Sequence, residues 1–250
     1  MAPASESRPG QARPIPMPAE ANTAAAKVLV WDLPTRLFHW LLLALVVAAF
    51  ITAKTGGGAM VWHGRCGLAI LGLLIFRLVW GFNGATYARF SQFLPTPAKL
   101  RDYFAGRWRN LGHNPLGALS VFALLAVLAA QATSGLFAND DIAYTGYLGK
   151  LVSYDLSSRL TSFHHLLENV LLLFVALHVA AIVFYVRIKK HNLVIPMITG
   201  RDAGEPQQAA RGGGPVAFII AVVIAVSVVI AASGAFITPA PPPAVAAPDW

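Results

Sequence analysis

The chain has 250 residues, of which 56% are hydrophobic and only 12% charged. A water-soluble domain carries about a quarter charged residues, so there is too little polar surface here to cover a soluble globule, and the sequence reads as that of a membrane protein. The formal net charge of +8 belongs in such a protein to loops on the cytoplasmic face; no Lys/Arg cluster is interleaved with aromatics on a soluble domain, which excludes nucleic acid as a partner.

Residues 1–26 lack the apolar run of a signal peptide and are expected to form a disordered cytoplasmic tail. Five apolar segments follow, at about Leu37–Ala53, His63–Phe82, Leu116–Phe137, Phe163–Val186 and Pro215–Ile237. Each meets or nearly meets the ~20 residues that a membrane span needs. Backbone polar groups cannot go unpaired in hydrocarbon, so such runs must be helical. The expected fold class is an all-α membrane protein. Residues 27–198 form a four-helix transmembrane bundle, and residues 215–237 add a fifth, C-terminal transmembrane helix. Between them, residues 199–214 are rich in Gly, Gln, Ala and Arg and are expected to be a flexible cytoplasmic linker. The fifth span has no His, Asp, Glu, Lys or Arg and is expected at the periphery, as a packing or docking helix or an anchor. Residues 238–250 form a Pro-rich tail on the external side.

Charge placement sets the expected orientation. Arg8, Arg13, Lys27 and Arg36 precede the first span. Arg89, Lys99, Arg101, Arg107 and Arg109 lie between the second and third, and Arg187, Lys189, Lys190, Arg201 and Arg211 follow the fourth. The opposite side carries Lys54, Lys150 and Arg159, offset by Asp140, Asp141 and Asp155. The N-terminus is therefore expected in the cytoplasm and the C-terminus in the periplasm, with the chain multi-pass in the bacterial inner membrane.

Seven histidines punctuate this pattern. An ionisable side chain inside a membrane helix costs free energy unless it is used. His39, His63, His164 and His178 fall within or at the ends of spans, and metal ligation by neutral imidazole removes that cost. His164 and His178 are 14 residues apart. At about 100° per residue this is four turns less roughly 40°, so the two share a face; at 1.5 Å rise they are ~21 Å apart in depth. His165 is out of phase by one residue and points elsewhere. Depth pairs His39 with His178 near the inner surface and His63 with His164 near the outer. Two imidazoles from different helices at one level are what a six-coordinate haem iron takes on its axial positions. A zinc or copper site would instead need the histidines gathered in one place. The single cysteine, Cys66, excludes CxxCH thioether attachment, so the expected cofactors are two non-covalent, bis-His haem b groups. Arg36, Arg65 and Arg77 are the candidate partners for the anionic propionates.

The segments VWDLPTRLFHWLL, WHGRCGLAILGLLIFRLVWGF and HHLLENVLLLFVALHVAAIVFY resemble the first, second and fourth helices of the bacterial cytochrome b561 family, and closely the group that includes the cytochrome b subunits of nickel–iron hydrogenases. The resemblance runs from about Lys27 to Arg201. It implies four core helices, two haems b ligated at the positions of His39, His63, His164 and His178, and electron transfer to or from the quinone pool or a redox partner. His165 departs from relatives that carry Glu there. The expected function is a di-haem cytochrome relaying electrons across the inner membrane between quinone or quinol and a hydrogenase, dehydrogenase or cytochrome c type protein. It would be the electron-transfer subunit of an oxidoreductase. The alternatives are a haem-bearing anchor or assembly subunit without quinone chemistry of its own, and a small transporter using histidines as proton sites.

Overall fold

The computed structural model describes residues 26–237; the expected tails, residues 1–25 and 238–250, lie outside the described residues. A short strand β1 (Ala26–Leu29) leads into α1 (Leu33–Thr55). Asp32 caps α1 by accepting from the Thr35 amide at 3.0 Å, with Pro34 in the first turn. A glycine run at residues 56–58 ends it, Gly56 and Gly57 having φ of +66° and +53°, where a side chain would be strained. Then come α2 (Met60–Asn83) and two short interfacial helices, α3 (Phe90–Phe93) and α4 (Pro97–Phe104). The helix α5 (Pro115–Gly135) starts on an Asn114 cap that accepts from Gly117 N at 2.7 Å, and α6 (Tyr154–Arg187) starts on a Ser153 cap. The chain closes with α7 (Val194–Thr199), β2 (Arg201–Gly204) and α8 (Pro215–Ala232).

Among the described residues, five helices are long and apolar enough to cross a membrane: α1, α2, α5, α6 and α8. Their outward faces carry exposed Leu, Val, Ile and Phe, the inverse of a soluble surface and what lipid contact requires. They alternate in direction. We call the end where α1 begins the entry end, and the end where α1 finishes the far end.

The helices do not pack evenly. Helix α2 is central, against α1, α8 and α5, and α5 packs against α6. Helices α1 and α6 are not among the closely packed pairs; the space between them, which the Lys54–Glu168 ion pair spans, is called the cleft below. One core cluster joins Ile70, Leu71 and Leu74 of α2 to Leu128 and Ala132 of α5 and Leu171 of α6. A second joins Phe38, Phe76 and Trp80 to Ala221 and Ala225 of α8. Small residues let α8 approach closely: a Cβ on Gly72 would lie 2.8 Å from Val229. The fifth helix therefore packs directly on the central one. It ends at Ala232, five residues before the expected Ile237, because Ser233 and Gly234 turn the chain.

Two further expectations need correction. Residues 199–214 are not a featureless linker: β2 pairs antiparallel with β1, from Ala26–Gly204 to Leu29–Arg201. Gly212 bridges Ala85, and the Tyr87 hydroxyl donates to Gln208 O at 2.6 Å. Glycine content suggested flexibility, but partners distant in sequence take up the backbone groups. The fourth span is also longer than its apolar run. Helix α6 begins nine residues before Phe163 and has 34 residues, ~51 Å at helical rise. Its extra turns (YDLSSRLTS) are polar. Ser157 donates to Phe137 O at 2.7 Å and Thr161 accepts from Asn139 N at 3.0 Å, tying those turns to the far-end loop.

Candidate functional site

The cleft between α1 and α6 contains the intramembrane histidines. At the far end, His63 on α2 faces His164 on α6, with ring centroids 6.0 Å apart and planes at 89°. His63 Nδ1 is 2.9 Å from the carbonyl of Ala49 on α1. A carbonyl only accepts, so Nδ1 carries the proton and Nε2 keeps its lone pair. His164 is fixed the same way, with Nδ1 3.0 Å from Gln131 O of α5 and 3.2 Å from the Ser134 hydroxyl. The Gln131 amide lies 3.1 Å from His164 Nε2. Gly135 makes room, since a Cβ there would lie 2.9 Å from the His164 ring. Both imidazoles thus have Nδ1 protonated, as in metal-binding histidines held by a backbone carbonyl; the Gln131 amide, which donates to His164 Nε2, must move off that nitrogen before it can ligate. Lys54 on α1 and Glu168 on α6 form a 2.6 Å ion pair across the cleft at this level, and the Tyr144 hydroxyl lies against Gly64, beside His63.

At the entry end, His39 on α1 and His178 on α6 lie within Coulombic range of each other. Their surroundings differ from those of the far pair. His178 Nδ1 has only the Ser120 hydroxyl, at 3.4 Å, and His39 Nδ1 is buried with no partner. Buried N–H groups without acceptors gather on this side: Arg36 Nε, Arg77 Nη1, Arg89 Nε and Trp108 Nε1. A buried donor left unpaired costs about 1–3 kcal/mol, which an anionic group placed among them would recover.

Of the three arginines singled out from sequence, Arg77 is 3% exposed and lies 4.7 Å from the Phe90 ring centre. Arg36 donates through Nη1 to Ile198 O, pinning α7 to α1, while its Nε is free. Arg65 lies outward, 4.6 Å over Trp62, away from the unpaired donors. His165 is exposed beside His164. His113, which attracted no role from sequence, packs 4.3 Å from Phe93 and 4.7 Å from Trp31. Desolvation, then the nearby Arg77 and His178, push it down to about 3.

The residues fit a haem iron by several observations. Two metal–nitrogen bonds of about 2.0 Å each, with a ring radius at either end, come close to the 6.0 Å between the His63 and His164 centroids. A Cβ on Gly67, one turn from His63, would meet nothing within 4 Å. Gly64 and Gly72 are instead filled by Tyr144 and Val229. Among the described residues no group of three or more His, Cys, Asp or Glu is arranged to hold a metal; the histidines come in twos. Sequence reasoning missed Gln131, Ser134, Gly135, Ser120 and Glu168. The first four belong to a helix with no ligand of its own; for Gln131, Ser134 and Ser120 the signal was a polar residue inside the apolar run of α5, and Gly135 gave none.

A family model described as prokaryotic cytochrome b561 matches residues 30–200, which is more than two thirds of the chain and spans α1 through α7. No curated protein and no solved structure gives a match.

Proposed function

From its membership of the prokaryotic cytochrome b561 family, which makes the chain a multi-pass membrane b-type cytochrome of electron transfer that binds haem b, we propose that it holds two haems b, each ligated by two histidines. His63 and His164 serve the far site, and His39 and His178 the entry site. When bound, haem b supplies reversible one-electron chemistry at its iron.

The observation that carries this reading is the far pair: two imidazoles on different helices face each other with both Nδ1 protons committed to backbone carbonyls, which leaves the unprotonated Nε2 of each as the ligating atom once the Gln131 amide moves off His164. His39 and His178 repeat the pairing one 14-residue step along α6. Arg36 and Arg77 hold the propionates of the entry site, which satisfies their unpaired donors. Arg65 serves the far site only by swinging off Trp62.

The lysine and arginine distribution supports an orientation with the entry end in the cytoplasm and the far end in the periplasm of the inner membrane. The protein then relays electrons between the two faces, exchanging them with the quinone pool and with a hydrogenase, dehydrogenase or cytochrome c type partner. The test is the haem content and spectrum of the purified protein. Two haems b per chain with the low-spin signature of two imidazoles are expected. One haem per chain in a fully loaded preparation, or a colourless folded protein, contradicts the reading.

A further inference from the structure

Helix α5 carries no histidine, cysteine, methionine or acidic residue, yet it is not polar at random. Its polar side chains within the apolar run are Ser120, Gln131, Thr133 and Ser134. Three of these four meet a histidine of α6: Ser120 meets His178, and Gln131 and Ser134 meet His164. Ser120 and Ser134 are 14 residues apart, as are His164 and His178, and the two helices pack antiparallel. The matching steps place one hydroxyl at each ligand, ~21 Å apart in depth. Polar groups in an apolar run are retained where they find partners, and these find the two imidazoles.

The two contacts are unequal. At the far site, His164 Nδ1 has a carbonyl at 3.0 Å and a hydroxyl at 3.2 Å, and His63 Nδ1 has a carbonyl at 2.9 Å. At the entry site, His178 Nδ1 has one hydroxyl at 3.4 Å and His39 Nδ1 has no partner. An N–H bond to a strong acceptor makes the opposite nitrogen more basic, which favours ferric over ferrous iron. Fixed charge does not reverse this difference: the buried Arg77 on the entry side has the Asp32 carboxylate within electrostatic reach, and the far-side Lys54 is paired with Glu168.

Resting on the two-haem reading above, we infer that α5 is the positioning helix for both ligands of α6, and that its unequal hydrogen bonds make the far site the lower in redox potential and the entry site the higher. The downhill direction for one electron is then from far site to entry site, oxidising one ferrous iron and reducing one ferric iron, with no proton or third reactant.

The test is a spectroelectrochemical titration of the purified full-length protein. Two one-electron waves are expected. His63→Ala removes the lower wave and leaves the upper; this variant assigns the order without needing an intact far site. Ser134→Ala raises the lower midpoint and leaves the upper unmoved, Ser134→Thr restores it, and Ser120→Ala moves only the upper. A role limited to packing would not give this one-site shift with rescue by threonine. Loss of the upper wave in His63→Ala, coincident midpoints, or a Ser134→Ala titration identical to wild type overturns the inference while leaving two haems in place. A single one-electron wave per chain overturns the two-haem reading itself.

Discussion

The far and entry pairs are built from the same residue type on overlapping helices, but their surroundings were solved differently. At the far end, backbone carbonyls of Ala49 and Gln131 take the Nδ1 protons of His63 and His164. Those acceptors are fixed by the helices themselves, so the rings are oriented before any ligand arrives. At the entry end the imidazoles are loosely bonded and the neighbourhood is cationic, with buried arginine donors in want of an acceptor. One site is thus organised by main-chain geometry and the other by charge, and each is open to a different kind of perturbation.

The sharpest way to break the far site alone is Gly135→Val. Its Cβ falls 2.9 Å from the His164 ring, and the branched side chain forces the imidazole off its acceptors. The haem-to-chain ratio is expected to fall from two to about one, with the entry haem retained; among the described residues no glycine backs His178 in this way. The entry end is instead broken through its core. Trp80 is fully buried, stacks on Phe76 and donates to Asp32 at 2.9 Å. Trp80→Ala is expected to cost about 3–5 kcal/mol, read as a lower midpoint of unfolding in detergent, with the far haem outlasting the entry one.

A pH series separates the ends more gently. His113 titrates at about 3 in the folded chain and near 6.5 unfolded. The native state binds fewer protons in that window, so stability is full above about pH 6.5 and declines as pH falls towards 3. The thermal midpoint should drop in this range, and His113→Phe should flatten the drop. Asp140 on the far-end loop has the opposite origin: amides of Tyr144 and Ile142, then Ala143, hold its carboxyl below the usual range, so acid releases that loop only at lower pH. The smallest effect is expected from Lys54→Gln, which removes a half-exposed ion pair worth under about 1 kcal/mol. It should leave both haems bound and shift the far midpoint only slightly.

Much of this was legible in the chain. Five spans follow from runs of apolar residues, and helical phase brought His164 to the cleft and sent His165 outward. What the sequence hid has a common cause: contacts between segments far apart. The polar start of α6 falls below any hydropathy threshold and is held by Asn139 and Phe137. The glycine-rich stretch after α7 is ordered by β1, some 170 residues earlier. The cradle of Gln131, Ser134 and Gly135 has no motif of its own, because its meaning lies in the imidazole of another helix. Arg36 shows the converse: its place beside His39 was readable, its bond to Ile198 O was not.

The central claim is that four histidines act as two pairs at two depths. Haem content of the four single alanine variants, measured with the optical spectrum of the haem retained, tests it most directly. His63→Ala and His164→Ala are expected to lose the same haem, and His39→Ala and His178→Ala the other. Loss of one haem in common by His63→Ala and His39→Ala, or loss of both by every variant, would contradict it.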